Sequence, residues 1–160
     1  MGLPSGLKWA ACNVGAETPE DYGDYFAWGE TSTRSEYLIQ NSVTYGKTLS
    51  DLSGNSSYDV ARKEWECSWR IPTKSEFQEL IDECKCEWVD EAGKQGYKFI
   101  GPNGNSLFLS AAGLYKGDSP EGFGECGNYW SSTPELEGGY RDWCLGFGSS
   151  YCGVYLNLCY

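Results

Sequence analysis

One stretch commits its backbone before any other: WRIPTKSEFQELIDEC, Trp69 to Cys84. Pro72 precedes Thr73, and Thr73 with Glu76 forms T-x-x-E, a capping box. The hydroxyl and the carboxylate each satisfy an otherwise unpaired N–H of the first helical turn, and an N-cap of this kind contributes about 1 kcal/mol. Phe77, Leu80, Ile81 and Cys84 fall at i, i+3, i+4 and i+7, one buried stripe. Glu76, Glu79 and Glu83 then read as a solvated helix face. A second, shorter helical signal is SYDVARKEW, Ser57 to Trp65, with Val60, Ala61 and Trp65 facing inward. With only two short helices, most of the 160 residues must be strand and loop, a single domain by size.

The rest of the chain fits that reading. Twenty-one Gly supply turns, while seven Trp and twelve Tyr supply the rings to anchor a loop-rich α+β fold. LKWAACNVG, Leu7 to Gly15, alternates and reads as a first strand with Leu7, Trp9 and Ala11 on one side. EDYGDYFAWGE reads as a packed loop, and residues 31–56 as the polar, most flexible part. GYKFIGPNGNSLFLSAAG reads as a hairpin, Tyr97 to Ile100 and Leu107 to Leu109 around Gly101-Pro102-Asn103-Gly104. A Gly-rich loop from Tyr115 to Gly127 leads into NYWSSTP, with Trp130 as a core ring and Ser-Ser-Thr forming a turn.

Composition excludes several function classes. The net charge of −11 leaves no basic stripe for nucleic acid. The absence of histidine rules out Ser-His-Asp and Cys-His mechanisms within this chain. No D-x-D-x-D-G loop supports calcium binding. No apolar run approaches a membrane span, so direct membrane insertion is not expected, and no signal peptide is visible. The opening MGLPSG reads as an initiator Met on an excised domain. Eight cysteines, Cys12, Cys67, Cys84, Cys86, Cys126, Cys144, Cys152 and Cys159, permit disulfides, but full pairing allows 105 connectivities and sequence does not choose. Cys84-x-Cys86 has no second close pair to complete a zinc site, so no cofactor is expected.

The last seventeen residues, CLGFGSSYCGVYLNLCY, contain no Lys, Glu, Gln, Met or Trp. They read as a hairpin around the turn GSSYCG. Trp143, Leu145 and Phe147 share one face of its first strand, and Val154, Leu156 and Leu158 share one face of the second. Alternation sends Cys144, Gly146, Tyr155, Asn157 and Cys159 to the opposite face. Tyr with small polar residues is the chemistry of binding loops, a rigid ring plus adaptable hydrogen bonding. It is equally the chemistry of an ordinary solvated sheet face.

Four segments together carry a resemblance: LPSGLKWAACNVGAETPEDYGDYFAWGET, YDVARKEWECSWRIPTKSEFQELI, GYKFIGPNGNSLFLSAAG and GNYWSSTP. In this order they resemble the Fibrobacter succinogenes major paralogous domain family, abundant in gut Bacteroidetes and their phages. The resemblance implies a C-type-lectin-like fold, related to formylglycine-generating enzymes and to variable proteins diversified by retroelements. In those proteins a mutagenic reverse transcriptase alters adenines near the 3′ end of the gene. AAC and AAT codons become codons ending in C or T, which cannot encode the five residues missing from the tail. Family members continue into a further strand, so a chain stopping at Tyr160 is expected to lack its last strand and leave an open sheet edge.

What the resemblance implies is a ligand-binding module for receptor binding or adhesion, extracellular, cell-surface or virion-associated, whose partner is a protein or glycan on another cell surface. It places the ligand-contacting residues at Tyr115, Asn128, Tyr140, Arg141, Asp142, Cys144, Ser150, Tyr151, Cys152, Tyr155, Asn157 and Cys159. Tyrosines would stack, and Asn157, Ser150, Asp142 and Arg141 would direct hydrogen bonds. The alternatives are a fixed structural surface domain, or a copper oxidase using Cys144 with Cys152 or Cys159, by analogy with formylglycine-generating enzymes. The expectation is of no enzymatic activity.

Overall fold

The computed structural model describes residues 1–65, 67–135 and 140–158. The capping box organises its longer helix as the spacing predicts. Helix α2 (Lys74–Glu83) follows the shorter α1 (Val60–Trp65). Thr73 Oγ1 accepts from Glu76 N–H at 3.3 Å, and Thr73 N–H donates to Glu76 Oε2 at 2.8 Å. The Arg70 guanidinium forks onto the same carboxylate at 2.8 and 2.5 Å. Burial alone would raise the Glu76 carboxyl; the bonds from Arg70 and Thr73 outweigh it and hold it below its ordinary value. Glu79 takes two hydrogen bonds from Ser5, at 2.8 and 2.6 Å. The capping carboxylate of Glu76 thus also anchors Arg70, and Glu79, expected on a solvated face, ties the N-terminal segment to the helix.

The chain is α+β, and among the described residues its strands form three antiparallel sheets. The first contains β1 (Lys85–Glu91), β2 (Lys94–Ile100) and β3 (Ser106–Ser110), in that order. The second is the small pair β4 (Leu114–Lys116) and β5 (Ser119–Glu121). The third contains β6 (Cys126–Trp130), β7 (Arg141–Gly148) and β8 (Tyr151–Leu158), with β7 central. Phe77 and Leu80 of α2 pack with Phe99, Leu107 and Leu109 of the first sheet and Leu145 and Phe147 of the third. The Phe147 ring joins the sheets: it lies 5.8 Å from Tyr129 in its own sheet, and 5.3 Å from Tyr97 and 6.4 Å from Trp88 in the other. Gly127 makes room for it, since a Cβ there would stand 2.2 Å from the ring. A smaller cluster is built on Trp28 and Leu52, with Trp130 and Tyr58 against it.

Several segments depart from the sequence reading. Leu7–Gly15 is no strand, and Ala11 is exposed, because no neighbouring strand takes up its hydrogen bonds. β1 carries no clear strand pattern because charged residues make up about half of KCEWVDE, yet it pairs with β2 throughout. The loop from Tyr115 to Gly127 folds into β4, β5 and the start of β6. Residues 31–56 contain a short 3-10 turn, Ile39–Asn41, and the buried anchors Tyr37 and Leu52. Ser131 and Ser132 form no exposed turn: both are fully buried, with Ser132 C=O accepting from Leu52 N–H at 2.9 Å and Ser132 N–H donating to Pro72 C=O at 2.8 Å. Asp51 receives the Ser132 and Thr133 hydroxyls at 2.9 and 3.1 Å. No helix among the described residues is long and apolar enough to cross a membrane.

Thr73→Ala is expected to cost about 1 kcal/mol and Phe147→Ala about 3–5 kcal/mol, both read by urea denaturation. The lowered Glu76 carboxyl contributes stability that is fully present above the ordinary carboxylate range and is lost as pH falls through its folded value. The stability gap between the native chain and Glu76→Gln should therefore narrow in acid, followed as urea midpoints from neutral pH downward.

Candidate functional site

The third sheet has two chemically different sides, and its register assigns each residue to one. Directly opposed residues share a side in an antiparallel pair. Trp143–Leu156, Leu145–Val154 and Phe147–Cys152 face the core with Gly127 and Tyr129. Asp142–Asn157, Cys144–Tyr155, Gly146–Gly153 and Gly148–Tyr151 take the other side with Cys126, Asn128 and Trp130, the last of these covered by the Trp28–Leu52 cluster.

The outer side is a glycine floor carrying two tyrosine rings. A Cβ at Gly146 would lie 3.2 Å from the Tyr155 ring, and one at Gly153 would lie 2.7 Å from the Tyr155 hydroxyl. A Cβ at Gly148 would lie 2.6 Å from the Tyr151 ring. Each ring rests on bare backbone, and the two meet edge-to-face at 6.3 Å. They are still 47% and 46% exposed, large amphipathic surfaces held in one orientation. Ser150 lies exposed in the two-residue turn beside them.

The middle of this side is closed by a brace. Asn157 Nδ2 of β8 donates to Asn128 Oδ1 of β6 at 3.2 Å, reaching across the central strand. Cys144 lies beneath it, only 2% exposed. Burial pushes the Cys144 thiol up to about 12, against a hydrogen bond with Asn157. Asn128 also donates to Cys126 Sγ at 3.7 Å. Asp142 is buried and accepts from Glu135 N–H at 2.9 Å.

A second aromatic pair closes the far end. Tyr140 stacks on Tyr45 at 5.5 Å with planes 13° apart, both rings about half exposed. Arg141 next to it is exposed. A small cavity of about 40 Å³ is lined by Tyr45, Tyr140, Asp142 and Trp28. Tyr45 belongs to the polar stretch 31–56 and could not have been placed from sequence, because no local pattern tells which distant ring a loop tyrosine meets.

Of the twelve expected contact residues, Tyr140, Arg141, Ser150, Tyr151 and Tyr155 are exposed, and Asn128 and Asn157 form the brace. Four stand elsewhere than expected. Cys144 and Asp142 point outward but are buried, so they support the surface from below. Cys152 faces the core opposite Phe147, and burial, then the neighbouring Cys86, pushes its thiol up to about 12. The turn is Ser149-Ser150 alone, so strand alternation already governs Tyr151 and Cys152. Tyr115 packs edge-on against Tyr25 at 4.9 Å and beside Tyr37 and Phe123, away from the floor. Cys159 lies outside the described residues. Cys144 and Cys152 project to opposite sides of the sheet, which separates that pair as copper ligands. Among the described residues no group of three or more His, Cys, Asp or Glu side chains is arranged to hold a metal ion.

The chain matches no protein-family profile, no curated protein and no solved structure.

Exposed Cys67 should be alkylated by iodoacetamide at pH 8 in the native protein, while Cys144 and Cys152 stay unmodified until it is unfolded. Peptide mass mapping reads each thiol; rapid native labelling of Cys144 would contradict the brace.

Proposed function

We propose that this chain is a ligand-binding module, for receptor binding or adhesion, on a C-type-lectin-like scaffold, and that the outer side of β6–β7–β8 is its contact surface. The observation that carries the reading is the layering of that side. Exposed Tyr151 and Tyr155 lie on glycine backbone, flanked by a polar brace and by the stacked Tyr45–Tyr140 pair. Rings that are exposed yet already oriented lose little freedom on binding, which favours affinity. The resemblance to the Fibrobacter succinogenes major paralogous domain family supports the lectin-like scaffold and a retroelement-diversified tail. The mixture of two short helices, small antiparallel sheets and long loops is compatible with it. The partner is a protein or glycan on another cell surface, which makes the setting extracellular, cell-surface or virion-associated. The net charge of −11 disfavours nucleic acid.

A fixed surface domain and a diversified one differ in where the gene varies. Deep sequencing of the 3′ end across one population should find changes at codons for Tyr140, Ser150, Tyr151, Tyr155 and Asn157. Leu145, Phe147, Cys144 and Cys152 should stay constant, because they fill space beneath or behind the surface. Uniform variation would sink the diversified reading.

Binding itself is tested on glycan and cell-surface protein arrays. Tyr151→Ala with Tyr155→Ala should lower affinity for a captured ligand at least tenfold, the range of aromatic hot spots, with little change in melting temperature. Gly146→Ala, which puts a methyl group 3.2 Å from the Tyr155 ring, should weaken binding in the same direction. Unchanged binding by all three would remove this side as the contact surface.

A further inference from the structure

A three-stranded sheet has two edges, and the two such sheets of this chain treat theirs differently. In the first, β3 is mostly buried, and β1 carries the charges of Lys85, Glu87, Asp90 and Glu91. In the third, the outer edge of β6 is taken by the bridge between Gly113 and Gly127. β8 has none of these protections. It holds no charged residue and no proline, and none of its residues is fully buried, although most of β7 beside it is. Charges, prolines or a cover are what keep an edge strand from pairing with another chain.

The ladder fixes which groups that edge offers. Ser131 N–H donates to Trp143 C=O at 2.9 Å, so the backbone of Trp143, Leu145 and Phe147 is turned toward β6. Bonded and non-bonded pairs alternate in an antiparallel ladder. Asp142, Cys144, Gly146 and Gly148 therefore bond β8 through Asn157, Tyr155, Gly153 and Tyr151. Cys152, Val154, Leu156 and Leu158 direct their N–H and C=O groups outward. Leu158 N–H is met by Asn157 Oδ1 at 2.9 Å, while the outward groups of Cys152, Val154 and Leu156 have no backbone partner among the described residues. The side chains along this edge divide by face: Val154 and Leu156 are apolar and half-buried, and Tyr151 and Tyr155 are exposed rings.

An extended polypeptide laid along β8 matches both faces at once. Its backbone continues the ladder, its side chains on one face cover Val154 and Leu156, and those on the other stand beside Tyr151 and Tyr155. The net charge of −11 favours a cationic partner, and exposed tyrosine rings attract ammonium and guanidinium groups. We infer, resting on the reading of the tyrosine side as the contact surface, that its partner is a protein that adds an extended segment to the outer edge of β8. That segment is apolar on the face toward Val154 and Leu156 and bears Lys or Arg on the face toward the tyrosines.

The probes are acetylated, amidated hexapeptides alternating Lys with Val, Ile, Leu or Phe. Each is also made with Glu in place of Lys, and with N-methyl groups in either alternating phase. Hydrogen exchange resolved to single amides reads the result. At least one Lys peptide should slow exchange at Val154 and Leu156 at least tenfold, while Gly153 and Tyr155, already bonded to β7, change little. Its Glu counterpart should bind at least tenfold more weakly, and one of its two N-methylated phases should give no protection. Tyr151→Ala with Tyr155→Ala should weaken the Lys peptide at least threefold. No protection by any Lys peptide would overturn the β8 assignment, and tyrosine-dependent glycan binding on the arrays would then leave the contact surface standing without it. Equal protection by the Glu peptide, or by both N-methylated phases, would also overturn it. So would protection that grows with protein concentration alone, which would assign the edge to a second copy of the chain. Affinity unmoved by the tyrosine substitutions would overturn the placement of the cations and the tyrosine side as contact surface together.

Discussion

The contact of Phe147 with Gly127 decides how the two three-stranded sheets can meet. The ring reaches Tyr97 and Trp88 of the first sheet only because the neighbouring strand offers no side chain where it passes. With the ring in place, α2 finds a continuous apolar surface of Phe99, Leu107, Leu109 and Leu145 to cover. The core side of the third sheet is filled so completely that Leu145 and Phe147 retain no exposed area.

Around this centre, buried carboxylates fix the loops. Asp59 is fully buried and accepts from Gly54 N–H at 2.7 Å, Arg62 N–H at 3.0 Å and Ile71 N–H at 3.1 Å. It joins a loop, a helix and the lead-in to α2 at one point. Glu30 holds Arg34 and Val43 N–H in the same manner. Such groups are tolerated away from water because their lone pairs are met. They give long irregular segments definite paths where regular hydrogen bonding is missing.

How far the fold was legible depended on whether a signal was local. The capping box and stripe of α2 lie within twelve residues and specify one another, and the hairpin around Gly101–Gly104 carries its own turn chemistry. Alternation at Leu7–Gly15 predicts a strand only when a partner is present, and none of the described strands supplies one. The face assignment of the last hairpin held for Leu145, Phe147, Val154 and Leu156, where period two suffices. It failed for Cys152, because the turn is shorter than the run of Gly, Ser and Tyr suggests. Burial of Cys144 was illegible for a different reason: the asparagines that cover it come from two separate strands. The Tyr45–Tyr140 contact spans 95 positions, and nothing near either residue announces it.

The glycine floor gives the outer side an unusual tolerance. Beneath an ordinary sheet residue lie neighbouring side chains, and replacing it disturbs them. Beneath much of Tyr151 and Tyr155 lies the bare main chain of Gly146, Gly148 and Gly153. Shortening either ring uncovers peptide planes whose positions are set by the ladder, so the patch passes from stacking chemistry to amide chemistry while the ladder stays where it is. One backbone can thereby present two unlike surfaces.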